Sequence, residues 1–103
     1  MTDKVYMLVN INIEDKETYL NYEKGFFPIL KKHGGEFITF DDKIEHLEGE
    51  NPIMGRTILW TFPSEKSAKA WYNDPEYQEL AKIRRSSTIL NNLSIIKSLP
   101  KRN

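Results

Sequence analysis

The chain has 103 residues, 15 Lys+Arg against 15 Asp+Glu, and no cysteine. Zero net charge removes the usual electrostatic reason to expect nucleic acid or an anionic membrane as partner, and the short Lys101-Arg102 pair is too small to change this. Without cysteine there are no disulfides, thiolate nucleophiles or Cys-ligated metals.

The length fits one domain spanning residues 1–103, with a core over 5–99 and a frayed tail over 100–103. No apolar run approaches the ~20 residues of a membrane span, and the N-terminal run is too short for a signal segment. A cytoplasmic protein is expected.

Val5 to Ile13 reads as the first strand. Val5, Met7, Val9, Ile11 and Ile13 form an apolar set, while the alternate set, Tyr6, Leu8, Asn10 and Asn12, turns polar toward the end. Glu14 or Asp15 can cap a helix in which Tyr19, Tyr22, Phe26, Ile29 and Leu30 recur at helical spacing. Gly25 and Pro28 interrupt that pattern and predict a kink near Gly25. Gly34-Gly35 stops the helix, with Lys31, Lys32 and His33 at the negative end of its dipole.

Glu36 to Phe40 reads as the second strand, Asp41-Asp42 as a turn, and Lys43 to Glu48 as an optional short strand before a loop at 49–52. Ile53 to Phe62 carries the strongest strand pattern. Arg56, Ile58, Trp60 and Phe62 share one of its faces; Thr57, Leu59 and Thr61 share the other. Ser64 caps a short helix with Ala68, Trp71 and Tyr72 inward, and Asp74 caps the next, with Pro75 in its first position. Tyr77, Leu80, Ala81 and Arg84 share a face of that helix. Its end is not defined across Arg85 to Asn92, and Leu93 to Leu99 reads as the last strand.

The order β-α-β-β-α-β is the ferredoxin-like split arrangement, an α+β fold in which a four-stranded antiparallel sheet has helices on one face. Its bare face carries too many apolar side chains for water, so a homodimer packed sheet against sheet is expected.

The chain resembles the family catalogued as domain of unknown function 1330, within the dimeric α/β barrel superfamily. The resemblance rests on Tyr19-x-x-Tyr22, Gly34-Gly35, Leu47-Glu48-Gly49, Arg56, Phe62-Pro63-Ser64, Ala68-x-x-Trp71-Tyr72, Pro75-x-Tyr77 and Arg84. It covers roughly Val5 to Leu99, and its specificity lies in the joint order of these pieces. Where that family often ends its last strand in a small Glu-Gly pair, this chain has Ser98-Leu99-Pro100. The wider superfamily includes cofactor-free monooxygenases, muconolactone isomerases, haem-degrading enzymes and stress-responsive barrels, so the resemblance implies a fold but no single activity.

Arg56 lies on an apolar face, where an unpaired guanidinium is costly. Two readings stand: a salt bridge to Glu48 on a neighbouring strand, or recognition of an anionic ligand. Trp71, Tyr72 and Tyr77 flank the Asn73-Asp74-Pro75 break, with Trp71 expected in the core and the phenols at a pocket mouth that Arg84 can close. His46, beside Glu45 and Glu48, is a candidate general base; His33 reads as a helix-terminal cation. The two histidines lack zinc-site spacing, no phosphate-binding loop or nucleophile elbow appears, and Ser86-Ser87 has no base nearby. No cofactor or metal is expected. The resulting expectation is a small organic ligand, with an anion as the first candidate, held by Tyr22, Glu48, Arg56, Trp71, Tyr72 and Arg84. If the protein is an enzyme, the work is proton transfer or cofactor-free oxygenation, with His46 and Arg56 as candidate catalytic residues. The alternative is a non-catalytic structural or stress-related dimer with a filled core.

Overall fold

The computed structural model describes residues 3–99; the tail expected over 100–103 lies outside them. Seven elements follow in order: β1 (Val5–Ile13), α1 (Lys16–Lys32), β2 (Glu36–Asp41), β3 (Arg56–Phe62), α2 (Glu65–Asn73), α3 (Pro75–Ser87) and β4 (Thr88–Lys97). The four strands form one antiparallel sheet in the order β2-β3-β1-β4. This is the ferredoxin-like α+β fold, with the second helical crossover split into α2 and α3.

Each helix starts on a side chain that takes up its free N–H groups. Asp15 Oδ1 accepts from Thr18 N at 3.1 Å, Ser64 Oγ from Ser67 N at 3.0 Å, and Asp74 Oδ1 from Glu76 N at 2.9 Å. α1 ends at Lys32 with His33 as its C-cap, after which Gly34 adopts φ +77°. Gly34 N donates to Lys31 O and Gly35 N to Leu30 O, the paired bonds of a Schellman stop.

α1 runs as one helix from Lys16 to Lys32 with Pro28 inside it. Gly25 lets α3 approach closely: a Cβ there would lie 2.6 Å from Leu80 Cδ1.

Three other boundaries differ from the sequence pattern. Lys43 to Glu48 forms no strand, and β3 begins at Arg56 rather than Ile53. Gly55, at φ +75°, passes so close to the Ile11 carbonyl that no side chain fits, which ends the strand there. β4 begins at Thr88, five residues before Leu93, directly after α3. Ser87 closes that junction: its hydroxyl donates to Ile83 O at 2.7 Å, and its own carbonyl accepts from Glu14 N at 2.8 Å.

The core lies between sheet and helices. Val5, Met7, Val9 and Ile11 of β1 and Trp60 and Phe62 of β3 meet Tyr19, Tyr22, Phe26, Ile29 and Leu30 of α1 and Trp71, Tyr77 and Ala81 of α2 and α3. Trp71 sits at its centre, 4.0 Å from the Tyr77 ring and 5.5 Å from Trp60, centroid to centroid.

Among the described residues no helix covers the opposite face of the sheet. The register places Tyr6, Leu8, Leu59, Ile89 and Ile96 there, and Tyr6, Ile89 and Ile96 are exposed. The polar end of β1 has a structural use on this side. Asn10 Nδ2 donates to Met54 O at 2.7 Å, to Arg56 O at 3.2 Å and to Thr57 Oγ1 at 3.1 Å, and Asn10 Oδ1 accepts from Asn91 at 2.7 Å. One buried amide thus holds the end of the β2–β3 connection against the sheet.

Candidate functional site

A cavity opens between α1, α3 and the helix-side face of the sheet. α1 presents Tyr19, Tyr22, Glu23 and Phe26 to it, spaced to share a helical face. α3 adds Tyr77 and Arg84, seven residues or two turns apart. The sheet contributes Val9, Ile11, Ile58, Trp60 and Leu93, and Phe27, Phe37, Phe40 and Arg56 complete the lining. The cavity's volume is about 40 Å³. That admits a few water-sized groups and falls well below the ~300–1,000 Å³ of an ordinary ligand pocket.

Its two cations are in opposite electrostatic situations. Arg56 is fully engaged: Nε and Nη2 grip Asp42 Oδ1 and Oδ2 at 2.6 and 2.9 Å, and Nη1 reaches Glu23 Oε2 at 3.4 Å. Its guanidinium also lies 4.2 Å from the Phe40 ring centroid. The bidentate bond holds the Asp42 carboxyl below its ordinary value. Arg56 therefore pairs with Asp42 and Glu23, not with Glu48, which stands exposed on the β2–β3 connection.

Arg84 is 3% exposed, and its Nε and Nη1 have no hydrogen-bond partner. Among the described residues no carboxylate forms an ion pair with it; the polar groups beside it are the Tyr77 and Tyr22 hydroxyls. Those hydroxyls bond each other at 2.9 Å. Burial pushes the Tyr22 phenol well above its ordinary value, and burial raises Tyr19 to about 12. At neutral pH Tyr19 and Tyr22 stay protonated and cannot neutralise Arg84, whose guanidinium does not lose its proton. Trp60 Nε1, on the same cavity, is also buried without a partner. Arg84 and Trp60 thus line the cavity while Arg84 Nε and Nη1 and Trp60 Nε1 are buried without hydrogen-bond partners.

Of the residues singled out in the sequence, Tyr22, Arg56 and Arg84 line this cavity and Glu48, Trp71 and Tyr72 do not. Trp71 is fully buried in the core, and Tyr72 is half exposed near β4. His46 is exposed, with Nε2 2.6 Å from the Gly49 carbonyl, and lies away from the cavity. His33 binds Asp74 Oδ2 at 2.8 Å. The sequence reading missed Glu23, the one carboxylate on the lining, although it stands four residues after Tyr19 and three before Phe26. Among the described residues no group of three or more His, Asp or Glu side chains is placed to hold a metal. No helix among them is long and apolar enough to cross a membrane.

Element order and sheet topology define a ferredoxin-like α+β protein. The family described as "Domain of unknown function (DUF1330)" matches residues 4–99, and the chain belongs to it. No curated protein matches in sequence. Among solved structures, a protein of unknown function from Rhodopseudomonas palustris is similar with a TM-score of 0.73 at 16% identity, covering 100% of this chain and 86% of that one. SnoaB from Streptomyces nogalater, described as a cofactor-independent oxygenase, is similar with a TM-score of 0.67 at 9% identity, covering 97% of both chains. The Arabidopsis thaliana protein At3g17210 is similar with a TM-score of 0.65 at 16% identity, also covering 97% of both. At these identities the likeness is one of fold.

Proposed function

We propose that the protein is a homodimer in which each subunit binds a small organic anion in the cavity, with Arg84 as the counter-ion. The observation that carries this is the buried Arg84 guanidinium with two nitrogens unpartnered. A cation taken out of water without a partner is costly, and a bound carboxylate, phenolate or enolate offsets that cost with charge-assisted hydrogen bonds. Tyr22 and Tyr77 supply hydroxyls that can reorient toward the same anion. Arg56, already gripped by Asp42 and Glu23, shapes the mouth of the cavity.

The test is thermal denaturation of wild type and Arg84→Met against small carboxylates, phenols and 1,3-diketones. A ligand at 100 times its Kd stabilises by ~2.7 kcal/mol. The expected result is a rise in Tm for the wild type that vanishes in a folded Arg84→Met protein. An equal rise in both proteins, or none from any anion, overturns the proposal and leaves the non-catalytic dimer with a filled core.

A second reading, catalysis, has one specific support. An uncompensated cation beside phenols that stay protonated favours the ionised form of a bound phenol or enol. Such carbanion-like anions are the species that react with oxygen without a cofactor, the activity named for SnoaB. Oxygen uptake with a ligand found in the binding experiment, absent in Arg84→Met, is the result this reading requires.

A further inference from the structure

The cavity is too small for a whole organic ligand, and the surface around its mouth indicates what the rest of the ligand is. We propose that the ligand is an aryl carboxylate or phenolate, with its charged group at Arg84 and its planar ring on a rim formed by Phe27, Phe37 and Phe40. This rests on the anion site at Arg84.

All three phenylalanines line the cavity and are half exposed, at 46%, 37% and 45%. They form a continuous set of ring contacts: Phe26 to Phe27 at 5.4 Å, Phe27 to Phe37 at 5.3 Å, and Phe37 to Phe40 at 6.5 Å. The inner end reaches Trp60, 5.1 Å from Phe26. An aromatic surface therefore runs from solvent to the cavity wall.

The backbone is shaped to build this rim. Residues three apart on a regular strand point to opposite faces. Phe37 pairs with Trp60 and Phe40 with Ile58, so both face the helices, because an irregularity between Phe37 and Thr39 inserts Ile38 as an extra residue. Such bulges re-aim side chains and are over-represented beside active sites. Without the bulge one phenylalanine would turn to the other face. The Arg56 guanidinium lies 4.2 Å from the Phe40 ring centroid while Asp42 and Glu23 take up its charge.

Charge and shape agree on the occupant. The rim is apolar, with its rings set edge to face, the innermost unpaired charge is a single cation, and the cavity measures about 40 Å³. A carboxylate or phenolate oxygen fits that volume; a ring does not, and it stays between the phenylalanines. β2 is an edge strand with all six residues exposed, so the rim can part to admit a ring.

Calorimetric titration with four probes separates the parts of the proposal: 2-naphthoate, benzoate, cyclohexanecarboxylate and the uncharged 2-naphthamide. The proteins are wild type, Phe27→Ala/Phe37→Ala, Phe37→Leu and Arg84→Met, each with its Tm recorded. Phe37→Leu keeps apolar bulk without the ring and covers the case in which the double variant does not fold. The expected result is 2-naphthoate binding about tenfold more tightly than cyclohexanecarboxylate. That preference falls several-fold in Phe37→Leu, nearly disappears in the double variant, and 2-naphthamide binds weakly throughout. If cyclohexanecarboxylate matches 2-naphthoate in wild type, or the rim variants bind 2-naphthoate unchanged, the aromatic assignment is overturned while the anion site stands. If no probe binds wild type, both are overturned. Self-association of wild type that Phe37→Leu abolishes would assign the rim to a protein contact and overturn the proposal.

Discussion

Arg84 is where stability and binding pull apart. A buried guanidinium with two unpaired nitrogens costs the ligand-free protein the desolvation of those groups. Arg84→Met replaces it with an apolar side chain of similar length, and buried charges replaced in this way often leave a protein as stable or more so. The expected gain is about 1–3 kcal/mol without ligand, a Tm increase of several degrees for a chain of this size. Thermal denaturation in ligand-free buffer reads it directly. A fall of similar size would mean that Arg84 holds up the fold through Tyr22 and Tyr77, and the anion site would lose its basis. Arg84 was legible in the sequence because two helical turns separate it from Tyr77, which puts both on one face. The partner of Arg56 was not. Asp42 reaches it across thirteen intervening residues (43–55), and Glu23 comes from a different element. The rim was hidden for another reason: alternation assigns Phe37 and Phe40 to opposite faces, and nothing in the composition of β2 announces the bulge at Ile38.

At the scale of elements, three chain segments meet at Asp74. Its Oδ1 caps α3 through Glu76 N at 2.9 Å. Its Oδ2 accepts from Lys32 Nζ at 2.9 Å and His33 Nε2 at 2.8 Å, both at the end of α1. Lys32 and His33, with the Glu76 N–H, hold the carboxyl well below its ordinary value. The sign follows from that depression. The native state favours the carboxylate, so the contribution is complete above the ordinary value near ~4 and drains away as pH falls below it. Asp74→Asn keeps a competent cap and removes the charge. Denaturant unfolding from pH 7 to pH 2 is expected to show wild type losing stability steeply below about pH 4 and Asp74→Asn losing it more gently. Parallel acid limbs would assign the acid sensitivity elsewhere. The caps themselves were readable, since Asp15, Ser64 and Asp74-Pro75 are residue types that free N–H groups select. The start of β4 was not: Thr88 to Asn92 is too polar to show strand alternation, and those residues are held by pairing with β1 rather than by propensity.

At the scale of the molecule, the protein is a thin slab with one finished face. Its extents are 47 × 39 × 17 Å, and its accessible surface is 7335 Å². A globule of its mass would expose about 6,000 Å². Part of the excess is the open face of the sheet, where Tyr6 and Ile96 sit directly opposite each other across β1 and β4 and are 41% and 48% exposed. Ile89 continues the patch, and Ile53 and Met54 of the β2–β3 connection are exposed beside the site where Asn10 pins it. A stable interface needs about 800 Å² from each partner, which a second copy laid face to face can cover. Light scattering after size exclusion is expected to give twice the 12.1 kDa chain mass at micromolar concentration, and Ile96→Asp is expected to give one. The monomeric variant also reports on the cavity. The cavity proposed for the anion lies on the helix side of the sheet, while Ile96 lies on the other side. If dimerisation only covers apolar surface, Ile96→Asp binds anions with wild-type affinity and melts earlier. If affinity falls with the dimer, β1 couples the two, because Val9 and Ile11 line the cavity and Leu8 and Asn10 lie on the open face of the same strand. A wild-type protein that stays monomeric at tens of micromolar would sink the dimer and leave the open face to another partner.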